Sequence, residues 1–403
     1  MPRPLERDEL AAWLRLSLTP GVGNDSARRL LASFGLPQAL FGQSAAALRQ
    51  VVSEAQARAL LSEPPALAAQ LDATWQWLQG EPAPGTQRRV LALGDADYPA
   101  SLLAIEDPPL MLYLLGAPGS APNLAPVQAQ HEQAAINSIA SAWQRSIAIV
   151  GSRNPTPQGE SNARQFAKAF SAAGLTVVSG LALGVDGAAH GGALEGAGEG
   201  RLATVAVVGT GLDRVYPRQH LALAHRIAQR GLIISEFALG TPPLASNFPK
   251  RNRIIAGLAR GTLVVEAAQP SGSLITARLA AEQGKDVFAI PGSIHSAQSR
   301  GCHALIKQGA KLVESAQDVL EELRIPHATN SIASHADATG IGSQNEPETG
   351  LLAALGFDPV SLDAMVARTG MDAASLQAQL LELELEGQLA RLPGGLFQRL
   401  GVA

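Results

Sequence analysis

The sequence predicts an α/β protein: an extended Rossmann-like, mostly parallel sheet, carrying an N-terminal helical domain and a C-terminal winged-helix domain. Three observations point there. Six short apolar runs, rich in β-branched residues, recur between residues 146 and 292, each followed by a loop and a helical stretch. Aromatic residues make up only 4% of the 403 residues while glycines number 40, a composition suited to closely packed βαβ units. The chain on either side of this block is helical in pattern and joined to it by polar, turn-rich stretches.

In chain order, residues 1–115 read as a mostly helical domain of the SAM or helix-hairpin-helix type. "LTPGVGNDSARRLLASFG" (18–35) sets Gly21 and Gly23 ahead of a helix, where backbone N–H groups can hold a phosphate, or simply connect two helices. Residues 116–145, rich in Ala, Gln, Ser and Pro, read as an insertion or linker. The sheet domain spans 146–325, with strands predicted at 146–151, 175–180, 204–209, 232–237, 262–267 and 286–292. Residues 326–349 form a second linker, and 350–403 hold three helical stretches and a Gly-Gly turn between extended pieces, the order of a winged helix-turn-helix.

Composition narrows the function classes. A single cysteine, Cys302, leaves no internal disulfide and fits a reducing compartment. The start has no long apolar segment of the secretory kind, and no apolar run approaches the ~18 residues of a membrane span, so the expectation is a cytoplasmic protein without membrane contact. The net charge of −4 is unevenly spread: residues 147–325 carry +5, against −3 before them and −6 after them. A basic middle between acidic ends points to a local polyanion site.

In a parallel sheet, ligands bind beyond the carboxyl ends of the strands. There the chain places Gly151-Ser152-Arg153, then "SGLALGVDGAAH" (179–190) with Asp186 and His190, then "GTGLDRVYPRQH" (209–220), then "NFPKRNRIIAG" (247–257), then Glu266 and "PSGSLITAR" (270–278). Glycine and serine turns that enter helices are anion cradles. The three-glycine dinucleotide fingerprint, a Walker lysine and metal-ligand spacing of Cys and His are all missing from this sequence, so neither cofactor nor metal is expected. Ser179, Asp186 and His190 make a conceivable hydrolytic triad, but no nucleophile elbow frames the serine, and Asp186 suits a capping or loop-fixing role. At 100° per residue, Arg251 shares the buried face of its helix with Ile254, Ile255 and Leu258, with Pro249 at N1 and Lys250 and Arg253 flanking on one side. Phe248 is expected to act as a hydrophobic staple under that helix rather than as a stacking surface. Arg251 is either an anion-gripping residue or a partner of Glu266 that braces the loop.

These motifs, "IAIVGSR", "SGLALGVDGAAH", "GTGLDRVYP", "SEFALGTPPLASNFPKRNRIIAGLA", "VVEAAQPSGSLITARLAAEQGKDVFAIPG" and "GCHALIKQGA", resemble in order and spacing the DNA-processing protein A family, also called Smf, across about residues 146–325. The resemblance implies a non-catalytic homodimer that binds single-stranded DNA and loads the RecA recombinase in natural transformation. It also implies DNA- and phosphate-binding roles for Gly151, Ser152, Arg153, Ser179, Gly180, Gly184, Gly209, Gly211, Arg218, Lys250, Arg251, Asn252, Arg253 and Ser273, with Asp186 and Glu266 fixing loops. The chain departs from the family pattern at His220 and His303, where asparagine is usual. The runner-up is a nucleotide phosphoribohydrolase-like enzyme on the same scaffold, built on Glu266 and the "PSGSLITAR" turn. The tail has no Lys or Arg between Arg368 and Arg391 and carries Glu382, Glu384 and Glu386, so a protein-contact role is expected there before a DNA-reading one.

Overall fold

The computed structural model describes residues 5–117, 143–325, 351–357 and 359–400. The two predicted linkers lie almost entirely outside the described residues.

Six helices open the chain: α1 (Arg7–Leu18), α2 (Asn24–Phe34), α3 (Pro37–Leu40), α4 (Ala45–Leu48), α5 (Glu54–Leu61) and α6 (Leu67–Gln79). Short polar turns separate them, and Ser53 starts α5 with a reciprocal capping box to Gln56. Gly21 to Gly23 form the turn between α1 and α2, and Gln56 donates to the Gly21 carbonyl at 2.8 Å, holding that turn against α5. Leu10, Trp13, Leu14 and Leu30 fill the bundle, and the same core continues into Tyr113 and Ile233 of the sheet.

Among the described residues the sheet has nine strands. The order is β1 (Gln87–Ala92), β2 (Met111–Gly116), β6 (Leu232–Ser235), β5 (Thr204–Val207), β4 (Thr176–Ser179), β3 (Ser146–Gly151), β7 (Gly261–Val265), β8 (Asp286–Ala289) and β9 (Lys311–Leu312). From β6 to β9 every pairing is parallel, while β1 and β2 join antiparallel at one edge. Reading residues 1–115 as one helical domain therefore misses two strands. Val90 to Ala92 and Met111 to Leu114 are short apolar runs that pair with each other, and Met111–Gly116 joins the sheet through β6, more than a hundred residues on, so local pattern alone could not attach the pair to the sheet. The six predicted parallel strands are present, each shorter by a residue or more at its carboxyl end except β3, because those ends turn into the ligand-side loops.

Helices cover both faces, as an all-parallel core requires. On one face lie α7 (Ala100–Leu103), α11 (Asn247–Leu258) and α12 (Gly272–Glu282), packing Leu102, Ile254, Ile255 and Ala277 on Val178, Val207 and Val264. On the other lie α8 (Pro157–Ala172), α9 (Val185–Gly196) and α14 (Ala316–Glu322), which bring Phe166, Phe170 and Val319 onto Ile147, Ile149 and Phe288. Two more helices, α10 (Leu221–Arg230) and α13 (Arg300–Lys307), complete the layers. Residues of β3 and β7 alternate between the two faces, which is why their runs are apolar throughout.

The chain runs outward from β3 to β6 in one direction and from β7 to β9 in the other. The topological switch point therefore falls between β3 and β7, where adjacent loops part and leave a crevice.

The tail is a winged helix: α15 (Leu351–Leu355), β10 (Val360–Ser361), α16 (Leu362–Thr369), α17 (Ala373–Leu385), β11 (Leu389–Leu392) and β12 (Leu396–Arg399), with strand order β10-β12-β11. Gly370, left-handed at φ 68°, closes α16 and turns the chain into Asp372, whose carboxylate caps α17. Leu355, Met365, Leu376, Leu380 and Phe397 form its own core.

Phe288, on β8, is fully buried in the core of the second face. Phe288→Ala is expected to lower unfolding free energy by about 3–5 kcal/mol, measured by urea denaturation of the full chain.

Candidate functional site

The crevice at the switch point is a cavity of about 610 Å³, lined from β3 by Gly151, Ser152 and Arg153 and from α11 by Phe248, Arg251 and Asn252. That volume lies within the ~300–1,000 Å³ range typical of small-ligand sites. The first turn of α12, Gly272 and Ser273 with Ser271 ahead of them, supplies a third wall.

Each wall is held by bonds that leave a donor-rich surface. At the end of β3, the Ser152 hydroxyl accepts from Asn154 N at 3.1 Å, and its carbonyl accepts from Val185 N at 3.1 Å. The turn so formed pushes Arg153 out to the mouth. Glu266, at the end of β7, accepts from Thr156 N at 2.8 Å and from its hydroxyl at 2.5 Å. It thereby ties the end of β7 to the N-cap of α8 and sits left-handed at φ 50° to do so. Both carboxylate oxygens are occupied within the loop. Burial raises the Glu266 carboxyl above the usual range, against the Thr156 bonds.

After β4, Asp186 in the first turn of α9 accepts from Gly180 N at 3.1 Å and Ala182 N at 3.2 Å. These bonds shape the loop around Leu181, also left-handed at φ 58°. Into that loop reaches Arg251, only 4% exposed. Its Nη1 donates to the Gly180 carbonyl at 2.6 Å and also to the Val207 carbonyl, bridging the ends of β4 and β5. Its Nε is buried with no hydrogen-bond partner. Burial lowers the Arg251 guanidinium to about 10, with Asp186 opposing and Arg153 adding to the shift, so it stays cationic at neutral pH. Burial pushes the Asp186 carboxyl up, against the pull of Arg251. A Cβ on Gly180 would collide with the Arg251 guanidinium, so glycine is required for the arginine to lie there.

The "NFPKRNRIIAG" segment becomes intelligible as a set of pins. The helix begins at Asn247, which puts Pro249 in the third helical position rather than the first. Asn247 donates to the Gly209 carbonyl at 3.1 Å, Arg251 bridges β4 and β5, and Asn252 donates to the Gly272 carbonyl at 3.2 Å. The first six residues of the helix thus fix the loops of three neighbours. Arg251 does not pair with Glu266, which settles the bracing alternative against it.

Two of the cations go elsewhere. Arg253 donates through Nε to Asp107 at 3.0 Å and through Nη2 to Glu236 at 2.5 Å, with its side chain 10% exposed. It joins α11 to the segment between β1 and β2 and does not line the cleft. Lys250 is exposed, 5.9 Å from the Phe237 ring, and lines a separate cavity of about 200 Å³ with Glu236 and Tyr113. The grouping of Lys250 and Arg253 with Arg251 along one groove is therefore corrected: of the described cations, Arg251 and Arg153 line the cleft and these two do not. Arg218 is exposed on a turn beside Tyr216, outside the lining.

Phe248 is not a staple beneath its helix. Its ring lies 5.6 Å from that of Tyr216, and the Arg153 guanidinium carbon lies 5.7 Å from the Phe248 centroid. Tyr216 is 47% exposed, so this pair forms an aromatic wall beside the cations. Several of the glycines serve packing within the protein: Gly209 gives room for Phe248, Gly211 for Asp213, and Gly184, at φ 77°, for Pro155.

The conceivable triad does not assemble. Ser179 donates to the Ile149 carbonyl at 2.6 Å, Asp186 fixes its loop, and His190 Nδ1 lies 2.7 Å from the Thr204 hydroxyl. His220 Nδ1 lies 3.0 Å from the Leu181 carbonyl and His303 Nε2 lies 2.9 Å from that of Gly292, so each imidazole makes the kind of bond an asparagine amide would make.

Two predictions follow from burial. Burial holds the His190 imidazole at about 3, below its ordinary 6.5, so the unfolded chain takes up the proton first. Stability should fall as pH drops from about 6.5 toward 3, and His190→Gln should flatten that fall in urea titrations run at stepped pH. Arg253→Ala strands the buried Glu236 carboxylate and is expected to cost about 3 kcal/mol of stability, with a lowered denaturation midpoint as the readout.

Residues 136–324 match the family model for DNA recombination-mediator protein A, and residues 336–395 match that for the DprA winged-helix domain. The chain is 41% identical over 304 residues to protein Smf of Escherichia coli, covering 74% of each chain. It is 34% identical to protein Smf of Synechocystis, covering 98% of this chain and all of the relative. The X-ray structure of DNA processing protein A from Streptococcus pneumoniae aligns with a TM-score of 0.60 at 33% identity, over 79% of this chain and 99% of that one.

Proposed function

This chain belongs to the DNA recombination-mediator protein A family, the DprA and Smf proteins, and from that membership and the cleft we propose that it binds single-stranded DNA, protects it during natural transformation and loads a RecA-type recombinase onto it as a homodimer. The observation that carries the strand-binding part is the cleft itself: a fixed, buried Arg251, an exposed Arg153, and the Tyr216–Phe248 pair beside Arg153.

A phosphate entering the cleft meets Arg153, the Arg251 guanidinium and the N-terminal turn of α12, whose amide groups and helix dipole favour an anion. The adjoining base meets an aromatic face. Stacking there requires a base freed from its duplex neighbours, which selects single strands by shape rather than by sequence. Binding through few phosphate contacts should depend on salt and discriminate weakly between bases. The RecA and homodimer parts rest on the family alone.

The hydrolase alternative would need a carboxylate free to meet a nucleotide. Glu266 has both oxygens engaged by Thr156 and is absent from the cleft lining, which favours the loop-fixing role. Incubation with nucleoside monophosphates checks this: release of free base would favour the enzyme.

For Arg153→Ala, weaker binding of oligothymidylate and of mixed-sequence strands alike is expected, with the salt-dependence slope reduced by about 0.7. Fluorescence anisotropy over a salt series measures both; an unchanged slope rejects the phosphate role. Duplexes of the same length should bind far more weakly than single strands, and equal binding would reject the selection by unstacked bases.

A further inference from the structure

In a DNA-reading winged helix, the helix at the position of α17 enters the groove and bears cations. Here Ala373–Leu385 contains no Lys or Arg. Its inner face, Leu376 and Leu380, packs into the domain core. On the opposite side, Ala374, Ala378, Leu381 and Leu385 follow one another at steps of three and four, so they fall within ~60° of arc. All four are exposed, Leu381 by 52% and Leu385 by 82%. Exposed Glu382 and Glu386 accompany this stripe. A two-sided apolar helix with an acidic border is a docking face.

Its charge restricts the occupant. A second α17 would bring glutamates toward glutamates with no cation on either helix, so self-pairing is disfavoured. The complementary pattern, exposed apolar side chains among arginines, occurs around the mouth of the cleft. Tyr216 and Arg153 line the cleft, Leu183 and Leu244 adjoin its lining residues Ala182, Pro243 and Ala245, and Arg218 lies two residues beyond Tyr216; Leu183, Tyr216 and Leu244 are 40%, 47% and 48% exposed. The wider charges agree: residues 147–325 carry +5 and residues 326–403 carry −6. Residues 326–350 separate the sheet domain from the winged helix along the chain.

We propose that α17 docks across the mouth of this chain's own cleft, its leucines on the apolar rim and its glutamates facing Arg153 and Arg218, and must leave before a strand can enter. The winged helix would then act as a tethered competitor for the site. This proposal rests on the reading of the cleft as a strand-binding site, and the test separates the two.

The full chain is compared with the double variant Leu381→Ser/Leu385→Ser, whose side chains are exposed and outside the core. An equal thermal midpoint checks that it folds. Freed of the competitor, the variant should bind oligothymidylate about tenfold more tightly, as expected if some nine-tenths of the free protein is docked. Equal affinity overturns the proposal. An independent readout needs no strand: Leu244→Cys/Leu385→Cys treated with a short bis-maleimide. Cys302, the one native cysteine, is fully buried and leaves a quiet background. An intrachain cross-link that oligothymidylate suppresses supports docking. Absence of the link, or links only between chains, overturns it. If the intrachain link forms while neither protein binds a strand, docking stands and the strand-binding reading fails.

Discussion

The fold's functional edge depends on one placement: a buried guanidinium held between the ends of two parallel strands. Arg251 reaches the carbonyls of Gly180 and Val207, where β4 and β5 end. A cation so buried is costly unless it is bonded and compensated. The compensation explains the neighbourhood. Gly180 has no side chain because the guanidinium occupies its place, and Asp186 supplies a nearby negative charge while bonding the loop that cups the arginine. Asn247 and Asn252, on either side of it in the helix, fix the helix that presents it. The unpartnered Nε marks what remains of its bonding capacity inside the protein.

Much of this was legible in the sequence because the signals were local. Short β-branched runs separated by helices specify a parallel sheet whatever their order, and a 3.6-residue period was enough to put Arg251 on the buried face of α11. The same wheel could not say what Arg253 and Lys250 do. Arg253 lies on a face whose occupants, Glu236 in the loop before the helix and Asp107, far back in the chain, neutralise its charge. Phe248 was misjudged for a related reason: its neighbour Tyr216 comes from the loop after β5, and only the sheet order brings the two rings together. Strands β1 and β2 were missed because an antiparallel edge pair, laid beside β6, leaves no helical crossover to mark it.

Charge distribution links the domains to one another. Arginine is put to two uses in one helix, a structural ion pair at Arg253 and a cleft-lining cation at Arg251, and burial with or without a carboxylate partner separates them. The acidic winged helix is opposite in net charge to the domain before it, so on the proposed reading the charges that would draw a polyanion toward the cleft would also draw the tail.

The most direct test of the central claim is the crystal structure of the chain bound to a short oligothymidylate. It should show a phosphate within hydrogen-bonding distance of Arg251, Arg153 and the first-turn amides of α12, with a base against Tyr216 or Phe248. A strand lying along Lys250 and the N-terminal helices, with the cleft between β3 and β7 left empty, would contradict the account.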